Sequence, residues 1–159
     1  VELNCDFFDK RVELENIANK IVFTGMIDQY FRYELGTLEY RSLRFETEVL
    51  DENNFQGNAV VNYTEYEVPY TRIIEHKHFE YGTQPTTVIT YEYPDTFAPG
   101  KEPYYPVNDV RNSEIFKSYR ELAVSRENVL FGGRLAQYTY ADMDDTVAAA
   151  LALAKQQFC

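Results

Sequence analysis

The chain has 159 residues, 26 acidic side chains against 15 Lys and Arg, and a formal net charge of −11 with 45% hydrophobic residues. The length suits one ordinary domain with a core, or part of a larger protein, and the apolar content excludes a disordered acidic tail. The charge excludes a nucleic-acid footprint and adhesion to an anionic membrane, both of which need a basic face. An anionic small ligand stays open if a few arginines hold it locally. Fourteen Tyr and 11 Phe with no Trp point to sheet surfaces and polar-tipped pockets rather than a greasy helical bundle.

In chain order, Val1 leads straight into Asn4-Cys5-Asp6-Phe7-Phe8 with no signal peptide, as expected of an excised or processed piece of a longer protein. Residues 10–20 read as a short helix or a charged connector. Ile21–Gly25 reads as a buried strand stopped by glycine, and Ile27–Leu35 as a short helix closed by Gly36. Arg41–Leu50 alternates as a strand, with Leu43, Phe45, Thr47 and Val49 on one face. A turn at Asp51–Asn54 and a return strand at Gly57–Thr64 predict a hairpin. Tyr70–Phe79 and Thr86–Tyr93 read as further strands, the second ended by Pro94, in an antiparallel array. Pro94, Pro99, Gly100, Pro103 and Pro106 make 94–108 a loop.

A helix is predicted over about 110–126, with Ile115, Tyr119 and Leu122 on one stripe. A buried strand at Val129–Phe131 is broken by Gly132-Gly133. A last helix spans about 142–157, its inner stripe Met143, Val147, Leu151, Ala154 and Phe158. Asp142, Asp144 and Asp145 suit its dipole. The longest greasy run, Val147–Ala154, is far too short to span a membrane. The class is α+β, an antiparallel sheet with flanking helices.

Several positions carry possible chemistry. His76 and His78, two apart on a predicted strand, point to one face, but no third ligand lies near in sequence, so ordinary polar residues are expected and no metal site. Cys5 and Cys159 have no CxxC spacing and receive no redox or metal role; so few cysteines suit a reducing, cytoplasmic compartment. Gly132-Gly133-Arg134 after an apolar strand lets backbone approach a ligand, with Arg134 in reach of a phosphate and a helix N-terminus following at Asp142-Met143. The same features also read as a tight turn and a cap. Tyr104-Tyr105-Pro106 either packs or presents hydroxyls from a loop. Arg41 and Arg72 stand at apolar-facing strand positions; if either faces inward it needs an anion, because a buried guanidinium without a partner is costly. A bound anionic ligand and an internal salt bridge both meet that need.

Six blocks resemble the UDP-galactopyranose mutases, in family order: Phe23-Thr24-Gly25-Met26-Ile27-Asp28-Gln29-Tyr30-Phe31, Leu38–Glu46, Gly57–Tyr63, Val68-Pro69-Tyr70-Thr71-Arg72 through Phe79, Glu102–Asn108 and Phe131-Gly132-Gly133-Arg134 through Met143. Met26 stands where the family usually has proline. The resemblance implies an isomerase that interconverts UDP-galactopyranose and UDP-galactofuranose for surface glycans with reduced FAD, whose N5 attacks the anomeric carbon and expels UDP. It implies that Arg72, Tyr105 and Tyr140 contact the substrate diphosphate and that Asn62 and Arg41 line the sugar side. Gly133, Arg134, Asp142 and Met143 would line the FAD. The catalytic nucleophile is then the flavin, not a side chain, and no metal takes part.

Family chains are more than twice as long and open with a glycine-rich βαβ unit. This sequence has no GxGxxG and lacks the family's helical domain. The resemblance therefore implies a C-terminal part. Residues 1–128 would form the substrate-binding sheet domain with a flanking helix, and 129–159 the last strand and helix of a Rossmann-like FAD domain. Alone it would be inactive and hold no FAD; the full-length protein would be a homodimer. The competing expectation is a non-catalytic sugar-nucleotide or carbohydrate binding domain. An amine-oxidase relative would have no use for the Tyr-Tyr-Pro and Pro-Tyr-Thr-Arg blocks.

Overall fold

A computed structural model describes residues 1–158, the Phe158 side chain excepted. Its elements in chain order are α1 (Arg11–Ile17), β1 (Ile21–Phe23), α2 (Ile27–Tyr30), β2 (Tyr40–Leu50), β3 (Val60–Asn62), β4 (Arg72–Glu75), a 3₁₀ turn (His76–Phe79), β5 (Thr87–Thr96), β6 (Tyr105–Pro106), α3 (Val110–Val124), β7 (Val129–Phe131), α4 (Gly133–Ala136) and α5 (Met143–Phe158). Cys159 and the predicted role of the Phe158 side chain lie outside the described residues. The mixture of helices with an antiparallel sheet agrees with the α+β class. Contacts divide the chain into two compact units, residues 1–39 with 106–159, and residues 40–105. No helix among the described residues is long and apolar enough to cross a membrane.

The unit of residues 40–105 is built on an antiparallel sheet in the order β3-β4-β5-β2, with β6 continuing it beyond β2. The predicted hairpin does not form. β2 pairs with β5 in register from Arg41↔Thr96 to Leu50↔Thr87, and the short β3 pairs with β4 instead. A ladder of ten residue pairs outweighs a local turn signal, because each added pair satisfies backbone groups and buries side chains. The segment after β2 folds onto Glu75, whose fully buried carboxylate accepts the N–H groups of Phe55 (3.0 Å) and Gln56 (2.8 Å) and the Thr87 hydroxyl (2.8 Å). Pro94 does not end β5. The Glu92 carbonyl faces the β4 side, where it accepts from Thr71 N–H, so the Pro94 nitrogen two residues on faces the same side. β4 reaches only as far as the Arg72↔Glu92 pair, and no ladder bond is lost.

In the other unit, β1 and β7 form a two-stranded parallel sheet with Phe23 opposite Phe131. Around them Phe23, Ile27, Tyr30, Phe31, Leu38 and Tyr119 are buried, with Phe23 and Tyr30 rings 5.0 Å apart and Phe31 stacked on Tyr119 at 5.9 Å. The connector at residues 10–20 is helical over α1, where Arg11 meets Glu15 one turn on.

The helix predicted over 27–35 stops at Tyr30, because Arg32 and Tyr33 turn left-handed (φ 54° and 58°) before Gly36 (φ 101°). Side chains replace the missing helical bonds. Asp28 accepts the N–H of Leu38 (2.9 Å), while the Tyr119 hydroxyl accepts from Leu35 N–H (3.0 Å) and donates to the Gly36 carbonyl (2.7 Å). Burial pushes the Asp28 carboxyl above its ordinary range despite the N–H donors from Leu38 and Gln29. Asp28→Ala leaves the buried Leu38 N–H without a partner, and chemical denaturation of the chain is expected to show a loss of about 1–3 kcal/mol.

α3 follows the predicted stripe, with Tyr119 buried, Ile115 and Leu122 half-buried, and Asp109 capping its start by accepting Asn112 N–H. α5 does not. Met143, Val147 and Leu151 are 87%, 57% and 66% exposed, whereas Thr146, Leu153 and Gln157 are half-buried. Because alanines fill the intervening positions, the apolar pattern runs round most of the helix and selects no face.

Candidate functional site

Strand periodicity sorts the predicted sheet residues. Register puts Asn62, Arg72, Glu92 and Phe45 in one row across β3, β4, β5 and β2, with their side chains on one face. Arg72 donates from Nε to Asn62 Oδ1 (3.0 Å) and from Nη1 to Glu92 Oε2 (3.4 Å), and the Thr71 hydroxyl lies 3.2 Å from Glu92 Oε1. The internal ion pair is therefore present. Glu92 is buried while the Arg72 side chain is 37% exposed. The carboxylate anchors the guanidinium from below, and Nη2 is not engaged by any described residue. A guanidinium held on two sides with donors left over suits an oxyanion such as a carboxylate or phosphate. Glu92 is the residue that sequence reasoning missed; its alternation with Thr90 on β5 was the available signal.

Arg41 lies on the same face, two rows along past Leu43. It is exposed, with no ion pair among the described residues. It does not face inward, since this part of the β2 face is not a buried core: Phe45 and Val49 are exposed as well. Tyr104 packs edge-on against Phe45 (5.9 Å), and Tyr105, half-buried, lies beside Tyr104 at 6.4 Å.

The two histidines do not share a face, because β4 ends at Glu75 and the chain turns into 3₁₀ geometry. His76 Nε2 lies 2.8 Å from Thr90 Oγ1 on the Arg72 face, whereas His78 reaches Glu75 (3.0 Å) and Asn54 (3.2 Å). Among the described residues no group of three or more His, Cys, Asp or Glu is arranged to hold a metal.

In the unit of residues 1–39 and 106–159, Gly133 has φ +79°, a conformation that favours glycine, and a Cβ there would stand 3.4 Å from Thr24 Cβ. A Cβ on Gly132 would stand 3.3 Å from Leu153. The two glycines thus pass backbone between a strand end and α5. Arg134 lies with its guanidinium 5.8 Å from the Tyr140 ring centre. Asp142 precedes α5 and its carbonyl accepts Thr146 N–H (3.0 Å), so the first turn opens beside two exposed residues, Asp142 and Met143. The structure thus brings Asn62 together with Arg72, and Arg134 together with Tyr140. A surface depression of about 750 Å³ lined by Phe8, Arg11, Gln29, Arg32 and Tyr33 holds none of the predicted site residues.

A family model described as UDP-galactopyranose mutase matches residues 1–140. Similar curated proteins include a probable UDP-galactopyranose mutase of Klebsiella pneumoniae, 37% identical over 98% of this chain and 40% of its own length. A UDP-galactopyranose mutase of Mycoplasma pneumoniae is 39% identical over 88% of this chain and 36% of its own. A dTDP-fucopyranose mutase of Escherichia coli is 37% identical over 85% and 36%. The chain thus spans about two-fifths of the length of the curated relatives it matches.

Proposed function

Because the chain belongs to the UDP-galactopyranose mutase family, we propose that it is the substrate-sheet part of an enzyme that interconverts UDP-galactopyranose and UDP-galactofuranose, a step toward surface glycans. The observation that carries the reading is Arg72, held by Asn62 and Glu92 on an open sheet face. The leaving group of the reaction is UDP, and a diphosphate gains charge as the anomeric bond breaks. In this reading Arg72 receives that charge, and the family resemblance assigns the hydroxyls of Tyr105 and Tyr140 as further donors. Asn62 and Arg41 would line the sugar side.

FAD is the cofactor that the family implies. The residues present are compatible with one rim of a flavin site: a strand end that turns through Gly133 (φ +79°), and a helix start with exposed Asp142 and Met143. Gly133, Arg134, Asp142 and Met143 would hold it, with 129–159 closing a Rossmann-like domain whose glycine-rich unit these 159 residues do not contain. When bound and reduced, the flavin supplies the nucleophile for the anomeric carbon. The chain's own part is to bind the diphosphate, orient the sugar and stabilise departing charge. The full-length protein would act as a cytoplasmic homodimer.

Two measurements test the reading. Full-length parent protein is expected to convert UDP-galactopyranose only with reduced FAD, and Arg72→Ala to impair it severely. Purified residues 1–159 are expected to be colourless and inactive; yellow protein with turnover would overturn that assignment.

A further inference from the structure

The face that carries Arg72 also carries a hydrogen-bond chain with no role so far. His76 Nε2 lies 2.8 Å from Thr90 Oγ1, which lies 2.9 Å from Thr47 Oγ1. Thr90 is buried two residues before Glu92 on β5, and Thr47 stands opposite it on β2. His76 and Thr47, the two ends, are exposed. Thr90 has a single proton, so an intact chain can point only two ways. With a proton on His76 Nε2, His76 donates to Thr90, Thr90 donates to Thr47, and the Thr47 proton is left to donate outward. With a lone pair on Nε2, Thr90 donates to His76, Thr47 donates to Thr90, and Thr47 offers the outside only an acceptor. An imidazolium enforces the first direction, because both of its nitrogens are donors.

We propose that Thr47, Thr90 and His76 form a second contact strip for the anionic nucleotide sugar beside Arg72, with His76 as a positioning residue that makes Thr47 an outward donor when the imidazole is protonated. This rests on the reading that the Arg72 face takes the substrate. The charged groups sharing this face near His76 are Arg72 from β4 and Glu92 from β5, and Glu92 is already occupied by Arg72 and Thr71. From β2, Thr47 and Val49 share this face and carry no charge, since Glu46 and Glu48 alternate to the opposite face. Among the sequence neighbours, Lys77 donates to the carbonyls of Asn53 and Gln84, and His78 pairs with Glu75. An imidazolium here therefore adds to the charge of Arg72.

The test uses the full-length protein with its flavin oxidised, so that UDP-galactopyranose binds without turnover; its diphosphate diester has no ionisation of its own in the imidazole window. Kd is measured at about pH 5.5 and about pH 8, bracketing imidazole titration. Wild type is expected to weaken by about 3–10-fold from the lower to the higher pH, the scale of one hydrogen bond. His76→Gln and the isosteric Thr90→Val are expected to bring that ratio below about twofold, since each removes the proton-coupled donor. A wild-type Kd that does not change with pH, or a His76→Gln ratio equal to wild type, overturns the proposal. Arg72→Ala measured alongside separates the two ideas. If it weakens binding while His76→Gln keeps the full pH ratio, only this inference falls. If Arg72→Ala binds as wild type, the substrate-face reading falls and takes this one with it.

Discussion

Arg72→Ala in the full-length parent is expected to lower kcat/KM about 10²–10³-fold, the range found when one preorganised donor to developing charge is removed. Two physical losses combine. The diphosphate loses a charge-assisted donor where its charge grows, and the buried Glu92 carboxylate is left facing the ligand with no guanidinium between them. The second loss makes alanine worse than a neutral deletion, because an uncompensated carboxylate repels an anionic substrate. Arg72→Lys keeps the charge but cannot bond Asn62 and Glu92 in the same fork, so a partial loss is expected. Steady-state kinetics with reduced FAD checks both; an Arg72→Ala enzyme with unchanged kcat/KM would sink the diphosphate assignment.

Glu75→Ala carries the largest stability effect expected in the sheet unit, about 2–4 kcal/mol, because several hydrogen-bond donors lose their shared acceptor. The carboxylate is fully buried and is the common acceptor for Phe55 N–H, Gln56 N–H, the Thr87 hydroxyl and His78. Alanine strands these donors and releases the segment between β2 and β3. Burial alone would raise the Glu75 pKa, but these hydrogen bonds outweigh it and hold the group at about 2, below its ordinary 4.5. A depressed carboxylate stabilises the fold above its ordinary pKa. That contribution is lost as pH falls from about 4.5 toward about 2, when the folded state must also protonate. Denaturant titrations between about pH 7 and about pH 2.5 should show a shallower acid loss in Glu75→Gln than in wild type. Equal slopes would show that another carboxylate governs acid unfolding.

The parts legible in the sequence are those set by short-range physics. Alternation marks β2 and β5 because the side-chain period of a strand is two, and it puts Arg41, Leu43 and Phe45 on one face without any knowledge of partners. The stripe on α3 is legible because Ile115, Tyr119 and Leu122 fall at helical spacing among charged residues such as Glu114, Lys117, Arg120 and Glu121. On α5 the same reasoning fails, since its alanines leave several faces equally apolar and only the packing of Leu153 against Gly132 chooses among them. His76 and His78 separate because β4 ends at Glu75, and that end is set by the buried Glu75 network rather than by any residue between them.

The sequence by itself determined the class, the positions of most strands and helices, and the family, which six ordered blocks carry and residues 1–140 bear out. It marked Arg72 as a residue that needs an anion if it is covered, because an unpaired guanidinium is costly to bury. Strand partners were decided only by the tertiary structure. β2 takes β5 across a separation that no local turn encodes, because ten satisfied pairs outweigh the hairpin next in sequence. The β4–β5 register selected Glu92 from 26 acidic residues as the anchor of Arg72, while Arg41 on β2 stays exposed. Which carboxylate neutralises which arginine depends on register, and register is a property of the assembled sheet.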